Sequence, residues 1–227
     1  MSEDSTELRP LSEIEFKCPF CQARNKANLI SRVYLNDGSS AKTRILDGSL
    51  LELTCWHCNE SAPFEYSVQA VDTDRKYSLW LDPAGDPLAL GKNVWNGIDS
   101  AYDLRRVTDS NTLNELAQIW ASGLDDAAML LLKHMLAARV LQDTGKAPLV
   151  CAYAGRIQEN DADLMEYVIY SSEEADPEAI TTPFSAYETL VEAATTARQN
   201  LFSKGQWVDW DDETARNLWT AVQGQSI

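Results

Sequence analysis

The spacing of apolar residues changes along the chain, and the change divides it into two parts. Between residues 14 and 81 the apolar and β-branched residues fall in short runs: Asn28–Leu35, Leu50–Cys55, Ala62–Val71 and Tyr77–Leu81. Runs of this length, bounded by polar clusters, predict strands. Asn36-Asp37-Gly38-Ser39 is a turn signal, and it opens a loop that reaches Asp47. Residues 82–100 hold Pro83, Gly85, Pro87, Gly91 and Gly97 and read as a linker, with Trp95 as a point of packing.

Beyond residue 100 the period becomes helical. Thr112 and Glu115 form a capping-box pattern ahead of Leu116, Ile119 and Trp120, and Gly123 closes that helix. Asp125 and Asp126 open a second helix reaching about Gln142, apolar on most of its surface and so expected to be buried. Leu149–Gly155 and Leu164–Ser171 predict a β-hairpin turning at Glu159-Asn160-Asp161, with an acidic loop over 171–180 after it. Pro183 as first helical residue and Thr182 as its cap start a third helix. Phe184, Tyr187, Leu190, Val191, Ala194 and Leu201 mark its buried face. Gly205 ends it, Trp207, Val208 and Trp210 form a short apolar piece, and Asp211 or Asp212 caps a last helix to about Val222. The pattern therefore predicts an α+β protein. A polar, disordered stretch covers 1–13, a β-rich part with its linker covers 14–100, and a mixed helix and hairpin part covers 101–227.

Composition sharpens this division. The apolar fraction of 44% supports an ordinary core. The most apolar run, Ala127–Leu141, is broken by Lys133, His134 and Arg139, so no segment reaches the ~20 apolar residues of a membrane helix. MSEDSTELRP has no apolar stretch behind a basic start, which argues against a secretory signal and for a cytoplasmic location. The net charge of −16 is uneven: residues 15–60 hold six basic and five acidic residues, whereas residues 146–227 hold five basic and fourteen acidic. Such a chain repels nucleic acid at long range and attracts basic proteins.

The clearest chemistry is Cys18-Pro19-Phe20-Cys21, then thirty-three residues, then Cys55-Trp56-His57-Cys58. Each CxxC brings two sulfurs from one tight turn to the same ion, and two such knuckles supply a tetrahedral set that suits Zn²⁺. In a reducing compartment this outweighs disulfides. Iron in the same four-thiolate cage is the rarer alternative. Four thiolates leave no open position for catalysis, and His57 reads as an exposed knuckle residue. Knuckles of this kind favour a left-handed residue after the second cysteine; Asn59 tolerates that conformation and Gln22 does so less readily.

The Cys-Pro-Phe-Cys start, Ile45-Leu46-Asp47-Gly48-Ser49-Leu50 and Tyr77-Ser78-Leu79-Trp80 resemble the CpXC domain family of bacteria and archaea. Tyr102–Val107, Gly123-Leu124-Asp125-Asp126 and Trp207-Val208-Asp209-Trp210 extend the resemblance, which spans most of residues 14–211. It implies a zinc-ribbon-like head on an α+β body, with one structural zinc on Cys18, Cys21, Cys55 and Cys58. The family has no established activity and brings no catalytic residues.

Other groups read as structural. His134 is a mid-helix core or rim residue, and Cys151 is an inert thiol in a strand. Asp125 and Asp126 are helix-dipole partners, and Asp209, Asp211, Asp212 and Glu213 are a solvated cap. Three functions follow, in descending order. The first is a non-enzymatic interaction module (an adaptor, regulator or immunity-type protein) whose acidic body binds a basic protein partner, with Trp56 as an exposed anchor. The second is a nucleic-acid-binding ribbon using Lys17, Arg24, Lys26, Arg32, Lys42 and Arg44. The third is an enzyme with a site in the C-terminal half.

Overall fold

The computed structural model describes residues 8–36, 39–84, 100–172 and 174–224. Among these lie eleven strands, five α-helices and one short 3-10 turn, an α+β fold as the sequence pattern predicts. The proposed linker and Trp95, with Asp37 and Gly38 of the turn signal, lie largely outside the described residues. Two compact units form: residues 1–117 with 204–209, and residues 118–203 with 210–227.

The first unit is built on a six-stranded mixed sheet in the order β1-β2-β5-β6-β7-β11. β1 (Leu8–Lys17) and β2 (Arg24–Tyr34) form a long antiparallel ribbon. β2 joins the rest of the sheet only through Arg32–Tyr34, parallel to β5 (Val68–Asp72). β5 pairs antiparallel with β6 (Tyr77–Leu81), and β7 (Asp103–Val107) and β11 (Trp207–Asp209) add in parallel. β1 starts at Leu8, inside the stretch whose polarity suggests disorder; pairing with β2 supplies what its composition lacks. β7 and β11 complete this sheet, so the unit extends past the break expected near residue 100 and recovers a strand from near the C-terminus.

The central strands are buried on both faces, and their polar residues are matched to one another. Arg32 Nε donates to Gln69 Oε1 at 2.9 Å, and Gln69 Nε2 donates to Ser78 Oγ at 3.0 Å. This ladder lets polar groups cross an apolar sheet, since a buried polar group without a partner is costly. Trp80 is fully buried, donates from Nε1 to Ser67 Oγ at 2.8 Å and meets the Trp207 ring edge-on. The segment after β2 folds into α1 (Ser40–Leu46), capped by Ser39, which accepts from the Lys42 N–H. A loop was the expectation there; burial of Ala41 and Ile45 makes the difference. A separate hairpin, β3 (Glu52–Thr54) with β4 (Ser61–Pro63), follows.

The second unit holds an antiparallel sheet in the order β10-β9-β8 and three helices. β8 (Val150–Glu159) and β9 (Ala162–Tyr170) turn at Asn160 and Asp161, both left-handed with φ of 49° and 63°, the backbone of a tight hairpin turn. β10 (Glu178–Pro183) takes up the end of the expected acidic loop. α2 (Ser110–Ala121) leads into this unit. Its cap is Asp109 and not Thr112, whose N–H and hydroxyl both donate to the Asp109 carboxylate. α3 (Asp126–Thr144) is capped by Asp125 and ended by left-handed Gly145. It is buried only as far as Leu136; its last turns carry Arg139, Gln142 and Asp143 and face outward. α4 (Phe184–Leu201) buries Tyr187, Ala194 and Ala197, and α5 (Asp212–Gly224) is capped by Asp211.

Asp125 and Asp126 do more than cap α3. The Arg198 guanidinium lies 3.3 Å from Asp125 Oδ2 and 3.2 Å from Asp126 Oδ1, and Asp126 is buried at 1% exposure. Burial, with the Asp126 charge second, raises the Asp125 carboxyl above its ordinary value.

Candidate metal centre

Both knuckles are hairpin turns, and they share one backbone frame. In the first, between β1 and β2, the Cys18 N–H donates to the Ala23 carbonyl and the Gln22 N–H to the Cys18 carbonyl, at 2.9 and 3.0 Å. In the second, between β3 and β4, the Cys55 N–H donates to Glu60 and the Asn59 N–H to Cys55, each at 2.8 Å. The residue after each second cysteine is left-handed, with φ of 64° at Gln22 and 61° at Asn59. Gln22 thus takes the strained conformation despite its side chain. Its Nε2 donates to the Pro19 carbonyl at 3.0 Å, which helps to hold the turn.

The two turns face each other and bring the sulfurs of Cys18, Cys21, Cys55 and Cys58 within 4.8 Å of one another. Cys18 Sγ lies 3.7 Å from Cys58 Sγ, and Cys21 Sγ lies 3.6 Å from Cys55 Sγ. These separations exclude a disulfide bond, with its ~2.0 Å length. They match a tetrahedral thiolate cage instead, where ~2.3 Å metal–sulfur bonds set sulfur edges of about 3.8 Å. Among the described residues this is the one cluster of ligating side chains so assembled.

Two of the sulfurs face backbone N–H groups. The Cys21 N–H points at Cys18 Sγ at 3.5 Å and the His57 N–H at Cys55 Sγ at 3.4 Å. Burial pushes the Cys55 thiol up, but the Cys58 and His57 N–H groups, the Asn25 amide and the Cys21 thiol together bring it down to about 6. A backbone bond from Glu60 favours the Cys58 thiolate, yet burial and the other three sulfurs drive that thiol up to about 12. Four sulfurs this close cannot all be anionic without a cation among them. The site can therefore hold a metal ion, with each cysteine giving one sulfur and no position left open.

Cys18 and Cys55 are buried, and Cys21 and Cys58 lie nearer the surface. His57 is exposed and outside the cluster, as its place in the knuckle suggests. Trp56 is 75% exposed and Phe20 60%, so each knuckle presents one aromatic side chain to solvent. Asn25, which sequence reasoning passes over, is buried and bonded to both knuckles; only the pairing of the two turns could single it out.

The other candidates disperse. Of the six basic residues near the cysteines, Arg32 is buried against Gln69, Lys26 pairs with Glu13 at 2.6 Å, Arg44 reaches the Ser49 carbonyl and Lys42 is half-buried on α1. Lys17 and Arg24 remain exposed side by side at the ribbon end. Asp209 pairs with Arg106 and Asp211 caps α5, so the acidic group is not a gathered site. His134 and Cys151 are half-buried.

A family model described as CpXC protein matches residues 16–133, just over half of the chain, and takes in both knuckles. No curated protein and no solved structure matches the chain.

Proposed function

The chain belongs to the CpXC protein family, and from that premise we propose that it is a non-enzymatic interaction protein whose four cysteines hold one structural Zn²⁺. The observation that carries this reading is the exposure of Phe20 and Trp56 on the two knuckles of a closed four-sulfur site. A closed thiolate set supports a shape and not a reaction. Large exposed aromatics on a rigid frame are the usual anchors of protein interfaces.

The partner is a basic protein. The surplus of acidic residues over 146–227 steers such a partner, and the aromatic knuckles give it a place to dock. Zinc is preferred to iron because paired CxxC hairpins are the usual frame of structural zinc. Elemental analysis of freshly purified protein should return one equivalent of zinc, and the visible absorption of a ferric thiolate site would turn the choice to iron. For the partner, affinity purification from the native host at low salt should recover a basic protein that is released at high salt. The Phe20→Ala/Trp56→Ala double variant should lose it. Retention by that variant would remove the aromatic knuckles from the interface. A salt-dependent shift with DNA or RNA, reduced by changing Lys17 and Arg24, would favour the nucleic-acid reading instead.

A further inference from the structure

Asn25 is 2% exposed, although it sits near the free end of the β1–β2 ribbon, opposite Phe16 in register. Burying an amide there is unfavourable unless its polar atoms are met. Its Nδ2 donates to the Ala23 carbonyl at 2.9 Å, the same carbonyl that accepts from the Cys18 N–H. Its Oδ1 accepts from the Trp56 N–H at 3.1 Å, in the other knuckle. One side chain thus grips both turns.

The knuckles differ in the residue after the first cysteine, which is Pro19 in one and Trp56 in the other. Proline has no N–H to give. The first knuckle needs none at that position; in the second, that N–H is the one Asn25 receives. The shared frame therefore accepts proline at this place, and the second knuckle uses the donor that a proline would lack.

We propose that Asn25 is a positioning residue for the metal: in the metal-bound fold it locks the second knuckle onto the first beside Cys55, so that the four sulfurs close on one ion. The inference rests on the reading of the four cysteines as a zinc site. Groups that orient ligands in this way change metal affinity by about 10–100-fold when removed.

The test is zinc affinity of the full-length protein, measured by competition with a chromophoric chelator. Asn25→Ala should weaken binding about 10–100-fold. Asn28→Ala, exposed on the opposite face of the same strand, should leave it unchanged. Trp56→Pro should bind zinc more weakly than Trp56→Ala, because both lack the indole but only the proline lacks the N–H. That difference should vanish in the Asn25→Ala background, as a double-mutant cycle requires of a single shared bond. Wild-type affinity in Asn25→Ala, or equal affinities of the two Trp56 variants, overturns the proposal. Should Asn25→Ala fail to fold, the Trp56 comparison decides alone. A wild-type protein that takes up no zinc would sink the metal reading itself, a result distinct from these.

Discussion

Chelating the metal should melt one hairpin and spare the main sheet. Among the described residues β3 and β4 pair only with each other, through Glu52 with Pro63, Leu53 with Ala62 and Thr54 with Ser61. At about 0.2–1 kcal/mol per pair, these contribute about 1–3 kcal/mol. Ordering the backbone from Glu52 to Pro63 costs about 1–2 kcal/mol per residue, or about 12–24 kcal/mol together. The difference, about 10–20 kcal/mol, is the size of the about 10–16 kcal/mol that a structural zinc supplies at neutral pH. The first knuckle is better supported, because its strands continue into the six-stranded sheet. Hydrogen exchange read by mass spectrometry, with zinc bound and after chelation under reducing conditions, separates the two. The N–H groups of Cys55, Trp56 and Asn59 are bonded in the folded hairpin and should be slow with metal. After chelation they should exchange within about tenfold of an unstructured peptide, while β5 and β6 keep their protection. Slow exchange across β3–β4 without metal, or a loss in β5 and β6 in step with it, would mean that the metal does not hold this hairpin on its own.

Arg198→Met removes the cation that Asp125 and buried Asp126 share, and should cost about 3–5 kcal/mol in urea unfolding. Adding Asp126→Leu should recover much of the loss. Asp125→Asn keeps the acceptor for the Ala128 N–H and so keeps the cap. Because the folded Asp125 carboxyl is raised above its unfolded value, Asp125 contributes stability that grows as pH falls from neutral through that raised value. The Asn variant lacks this contribution, so its urea midpoint should drop relative to that of wild type between neutral and mildly acidic pH. Trp80→Ala, in the buried centre of the first sheet, should cost about 3–5 kcal/mol by the same assay.

Local chemistry made much of this protein legible. Two CxxC pairs carry their meaning in their spacing, because a tight turn sets where both sulfurs can go. The helix of Tyr187 and Ala194 shows in its period, and the β8–β9 hairpin in its Asn160-Asp161 turn. β1 does not show, since a polar strand is made by its partner and not by its own residues. Helix α1 is hidden for a related reason: seven residues leave too short a periodic signal.

The sequence alone determined the α+β class, the family and the four candidate ligands, because each rests on neighbours along the chain. Only the tertiary structure decided which sheet β7 and β11 complete, that Arg32 lies inside, and that Arg198 serves two adjacent aspartates. It also decided that Asn25 receives the Trp56 N–H across 31 residues. These are contacts between segments distant in the chain. No local propensity encodes them, because their energy exists only once both partners are in place.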